Sequence, residues 1–84
     1  MNLQFQAGTR EGSIGLGDGL HIDIQDDDSV KLIGMDLEIK TPAPTKGQQV
    51  TILFEQGKLE VFFGSYQVLL HHCRQSSKNS PSET

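Results

Sequence analysis

Three groups of residues in this chain have side chains able to do chemistry. They are His71-His72-Cys73, the acidic set Asp23, Asp26, Asp27 and Asp28, and the glycines Gly12, Gly15, Gly17 and Gly19. Imidazole and thiolate are good ligands for zinc or copper. Adjacent strand residues point to opposite faces, so only His71 and Cys73 converge, and a tetrahedral site would need His21 and a further donor from elsewhere. Aspartate oxygens suit calcium, but the run lacks the glycine and bidentate glutamate of an EF-hand loop, and aspartate is also a common turn residue. The glycines resemble a phosphate cradle only superficially, because no helical pattern follows them and Asp18, not lysine, comes after Gly17. For nucleophilic catalysis, His71 and His72 are too close in sequence to Cys73 to reach its sulfur in line, and no oxyanion donor or orienting group is recognisable. The expectation is no catalytic residue, no metal site and no cofactor.

The elements that position these residues read as strands. Val50, Ile52 and Phe54 alternate with Thr51, Leu53 and Glu55, and after Gly57 the pattern resumes with Leu59, Val61 and Phe63 against Lys58, Glu60 and Phe62. A two-residue turn at Gln56-Gly57 pairs Glu55 with Lys58, Phe54 with Leu59, Ile52 with Val61 and Val50 with Phe63. A slip of one residue would split the apolar set between two faces. Upstream, a loop at Gly17-Asp18-Gly19 sets Leu16 opposite Leu20 and Ile14 opposite Ile22. A second loop at Asp26-Asp27-Asp28 sets Ile24 opposite Val30, Ile22 opposite Leu32 and Asp23 opposite Lys31. The apolar parity then changes between Leu32 and Ile33, which predicts a bulge or bend at Gly34. The stretch from Thr41 to Gln49 contains Pro42 and Pro44 and reads as a surface loop. Leu3 and Phe5 suit a short opening strand. Ser65 to Cys73 is read as a last strand with Tyr66, Val68 and Leu70 on one face, a short C-terminal helix being the alternative.

These elements predict an all-β fold, a single small antiparallel barrel or rolled sheet of five to six strands, rich in hairpins. One β domain is expected over residues 1–73, with a disordered polar tail over 74–84, where no apolar residue offers an anchor. Only 35% of the 84 residues are hydrophobic, so the core must be thin. With Cys73 the one cysteine, no internal disulfide can supplement it, which leaves oligomerisation as the simplest support.

The net charge of −4, from 11 acids against seven lysines and arginines, disfavours a partner held by phosphate contacts. No basic segment leads into an apolar run, and no stretch approaches the length of a membrane span, so a soluble cytoplasmic protein without membrane contact is expected. The informative surface is the second face of the Val50 to Phe63 hairpin. Thr51 lies opposite Phe62 there and Leu53 lies diagonal to it, whereas a solvated sheet face should be polar. Either the segment from Tyr66 to Cys73 covers these residues, or a second copy of the chain or another protein does. The function expected is a non-enzymatic binding or oligomerisation module, homodimeric, with Leu53, Phe62, Thr51 and Tyr66 at the contact. The alternatives are a small regulatory barrel binding RNA or single-stranded DNA, for which Phe62 beside Lys58 and Arg74 is the trace, and a metal-dependent enzyme.

Overall fold

A computed structural model describes residues 1–73. Its eight strands are β1 (Asn2–Gln6), β2 (Gly12–Gly17), β3 (Leu20–Ile24), β4 (Val30–Ile33), β5 (Glu38–Lys40), β6 (Gln49–Glu55), β7 (Lys58–Phe63) and β8 (Tyr66–His72). They form two antiparallel sheets of four strands, ordered β1-β6-β7-β8 and β2-β3-β4-β5. Neither sheet closes into a barrel. Ile22, Ile24, Val30 and Leu32 of the second sheet and Val50, Ile52, Leu59, Val61 and Phe63 of the first belong to one buried apolar cluster. The core is therefore the layer between two sheets, each presenting its other face outward.

This corrects the expectation of a single barrel or rolled sheet of five to six strands. The chain opens in the first sheet as β1, builds the whole second sheet as a meander, and returns through the proline-containing loop to β6. There it pairs beside β1, with Leu3 opposite Ile52 and Phe5 opposite Val50. The bulge or bend expected at Gly34 is also corrected. The chain reverses over Gly34 to Leu37, the Gly34 N–H donating to the Leu37 carbonyl at 2.8 Å, and β5 returns along β4 with Leu32 opposite Ile39. A hairpin restores the apolar parity that a bulge would have restored, and it adds a strand. Gly34 also gives room to Leu20: a Cβ there would stand 2.8 Å from Leu20 Cδ2, so that side chain would have to shift.

The β6–β7 register is the expected one, from Val50 opposite Phe63 to Glu55 opposite Lys58. Its turn holds Gln56 at φ 52° and Gly57 at φ 75°, the left-handed pair of a type I′ turn, whose twist matches that of the strands it joins. In β2–β3, Ile14 does oppose Ile22, but the turn is shorter than expected. Asp18 and Gly19 form it, Gly17 pairs with Leu20, and Leu16 is the extra residue of a bulge rather than the partner of Leu20. The β3–β4 pairs match the expected ones, Asp23 with Lys31 included.

No helix occurs among the described residues, which removes the C-terminal helix as an alternative. The stretch after Ser65 is β8, paired along β7 as the edge of the first sheet. The tail expected over 74–84 lies outside the described residues.

Thr41 fixes the end of the second sheet. It is almost wholly buried, its N–H donates to the Val30 carbonyl at 2.9 Å, and its Oγ1 accepts the Val30 N–H at 3.0 Å while donating to the Pro42 carbonyl. Thr41→Val keeps the shape but leaves the fully buried Val30 without an acceptor for its N–H. Urea titration should show a loss of about 1–3 kcal/mol with an unchanged denaturant slope, and Thr41→Ser should recover most of it.

Candidate binding face

In the first sheet, alternation places one parity of every strand in the core and leaves the other to form the outer face. Read across the strands, one outward row runs Asn2, Leu53, Glu60, Leu70 and the next runs Gln4, Thr51, Phe62, Gln67. Lys58 pairs with Glu55 and His72 beyond them. Leu53, Phe62 and Leu70 thus lie on one face, with Leu53 and Phe62 half-buried by lateral neighbours and Leu70 48% exposed. β8, the one candidate for an internal cover, extends the sheet sideways instead.

The charges on the face are largely compensated within it. Gln67 Nε2 donates to Glu60 Oε2 at 2.7 Å, and Lys58 Nζ stands 3.7 Å from Glu60 Oε1. Glu60 sits between Leu53 and Leu70 with both carboxylate oxygens engaged, which lowers the penalty for drying the patch under a partner. Leu53, Glu55, Lys58 and Glu60 also bound a shallow hollow of about 150 Å³.

The second sheet shows what a solvated face of this protein looks like. Its outward rows carry Ser13, His21, Asp23, Lys31, Glu38 and Lys40, with Ile33 the apolar exception. Ser13 donates to Asp23, the His21 ring lies 3.8 Å from the same carboxylate, and Lys31 pairs with Glu38 at 3.4 Å. Both faces carry polar contacts, but the first also bears three large apolar side chains, Leu53 and Phe62 half-buried and Leu70 exposed.

Of the expected contact residues, Thr51, Leu53 and Phe62 come together and Tyr66 does not. Tyr66 pairs with Phe63, so it has the parity of the core side, and it stands at the sheet margin 73% exposed. Leu70 joins in its place. A bulge between the pairs Phe62–Gln67 and Val61–Leu69 makes Val68 an extra residue. Val68 and Leu69 both pack against the core, and Leu70 turns outward. An unbroken run of Val68, Leu69 and Leu70 contains no alternation from which this could be read.

The histidines and the cysteine do not converge. His21 lies on the outer face of the second sheet, whereas His71 has the core-side parity of the first. Cys73 is buried and its thiol is pushed up by burial, which opposes both thiolate ligation and nucleophilic attack. Among the described residues, no three His, Cys, Asp or Glu side chains gather closely enough to hold a metal ion. Phe62 and Lys58 do share the outer face, but so do Glu55 and Glu60, a balance unsuited to phosphate. Arg74 lies outside the described residues. No described helix is long and apolar enough to cross a membrane.

The aspartates serve the β3–β4 turn. Asp27 Oδ1 accepts from the backbone N–H of Ser29 at 3.0 Å and from its hydroxyl at 2.5 Å, and Asp28 Oδ1 accepts the Gly8 N–H at 2.8 Å. The second contact ties the turn to the loop that leaves β1. A polar cleft of about 310 Å³ lies between the two loops, lined by Arg10 and Glu11 on one side and Gln25, Asp26 and Asp28 on the other.

No family model, curated protein or solved structure matches this chain.

The hydrogen bonds from the Ser29 hydroxyl and backbone hold the Asp27 carboxyl below the ordinary aspartate range. A lowered value in the folded state means that the ionised form stabilises the fold. That contribution is complete above the unfolded value of about 3.9 and is lost as pH falls through the lower folded value. Stability measured by urea from pH 5 downward should fall less steeply for Asp27→Asn than for the wild type, and identical acid limbs would contradict the assignment.

Proposed function

We propose that this chain is a non-enzymatic binding and self-association module, homodimeric, with the outer face of the first sheet as its contact surface. The observation that carries this reading is the contrast between the two outer faces. On the face of the second sheet Ile33 is the one large apolar residue among ion pairs and hydrogen bonds, whereas Leu53, Phe62 and Leu70 share the face of the first, with β8 paired beside them rather than folded over them. A four-stranded face with compensated charge and a row of apolar side chains suits docking against another protein surface. Self-association also suits a small domain with a thin core, since each copy removes apolar surface of the other from water. An acidic chain with a single buried free thiol fits a reducing compartment such as the cytoplasm.

Phe62 is the residue to test, because it lies near the middle of the face, while its opposite parity keeps it out of the core. In sedimentation across the micromolar range the wild type should dimerise, and Phe62→Asp should raise the dissociation constant about tenfold or more with little change in the fold. A wild-type monomer throughout, with Phe62→Asp equally soluble and equally stable, overturns the reading. A mobility shift of short oligonucleotides that weakens steeply with salt would replace it by RNA or single-stranded DNA binding.

A further inference from the structure

We infer that the second copy joins along β8, edge to edge, so that two four-stranded sheets become one sheet of eight strands. This rests on the self-association proposed above but sets the seam at the β8 margin of the outer face rather than over it, so that Phe62 stays outside the seam and the variants below tell the two geometries apart.

The four sheet edges are unequal. β5 has three residues and bears both Glu38 and Lys40, while β2 carries Gly12, Gly15 and Gly17 and a bulge, features that blunt an edge. β1 is five residues long and presents Asn2, Gln4 and Gln6 on its outer face. β8 has seven residues with no aspartate, glutamate, lysine or arginine among them, and it carries Tyr66 and Leu70, two of the large hydrophobic side chains that stand exposed. For a chain of net charge −4, an edge without carboxylates lets two copies approach with little repulsion; β1 and β2 share that property, so length and the exposed Tyr66 and Leu70 single out β8.

Backbone direction is the second argument. Antiparallel residues alternate between bonding one neighbour and the other. The Cys73 N–H donates to the Gly57 carbonyl at 2.6 Å, so His71 and Leu69 bond to Leu59 and Val61 of β7. Leu70 and His72 therefore turn their N–H and C=O groups away from β7, and no described strand receives them. The bulge at Val68 confines the regular stretch to Leu69 through His72. A two-fold axis at His71 pairs Leu70 of each copy with His72 of the other, which uses all four outward groups of that stretch. Leu70 then lies diagonal to Leu70 of the second copy on the outer face, close enough for contact. The apolar row that begins at Leu53 continues across the seam, and the dimer presents both Phe62 patches on one surface.

The test is amide-resolved hydrogen exchange on the full chain at high and low concentration, with sedimentation of two variants. The Leu70 and His72 amides should exchange at least about tenfold more slowly when concentrated than when dilute, while those of Leu69 and His71 stay protected throughout. Leu70→Pro removes an outward donor and leaves the β7 ladder intact, so it should raise the dissociation constant about tenfold or more with the monomer still folded. If that variant fails to fold, wild-type exchange decides. Exchange at Leu70 and His72 that ignores concentration, in a dimer that Phe62→Asp breaks and Leu70→Pro does not, overturns the seam and leaves the face contact standing. A wild-type monomer overturns both.

Discussion

A strand residue can turn to only one side of its sheet, and in the β6–β7 hairpin this leaves Leu53 and Phe62 with no route to the core. The inner parity is filled by Val50, Ile52, Phe54, Leu59, Val61 and Phe63, paired across the Gln56-Gly57 turn. A slip of one residue would bring Leu53 and Phe62 inside only by sending that whole set out. Much else follows from this pairing. β1 adds Leu3 and Phe5 to the inner side along β6, β8 adds Leu69 along β7, and the second sheet closes over the same layer.

The layer between the sheets also accounts for where polar groups are buried. Ser29 and Thr41 are the buried polar residues among those described, and both lie where the second sheet changes direction. Each is matched to a partner, Ser29 to Asp27 and Thr41 to the Val30 backbone, so the connections end without orphaned donors. Aspartates that resemble cation ligands in sequence thus act as turn chemistry, one of them binding its own turn and another the neighbouring loop.

The asymmetry of the two outer faces has a common physical root in the edge that β8 forms. A helix or a folded-back strand after Ser65 would have covered Phe62 from within. By pairing in line with β7 instead, β8 satisfies its own backbone on one side, leaves the apolar patch uncovered, and enlarges it with Leu70. The bulge at Val68 lets two consecutive residues face the core and so commits Leu70 to the outside.

The sequence alone determined what local pairing controls. Alternation and turn residues specify the β6–β7 register, the β3–β4 pairs, and the placement of Thr51, Leu53 and Phe62 on a common outer face, because partners a few residues apart close short loops with one favoured geometry. Alternation separates inside from outside, but it is silent on which strand lies alongside which. Tertiary structure therefore decided that β1 crosses to β6, that the parity change at Gly34 is a reversal and not a bend, and that the strands divide between two open sheets. It also exchanged Tyr66 for Leu70 on the outer face, since in an unbroken apolar run only packing against the core selects the residue that bulges.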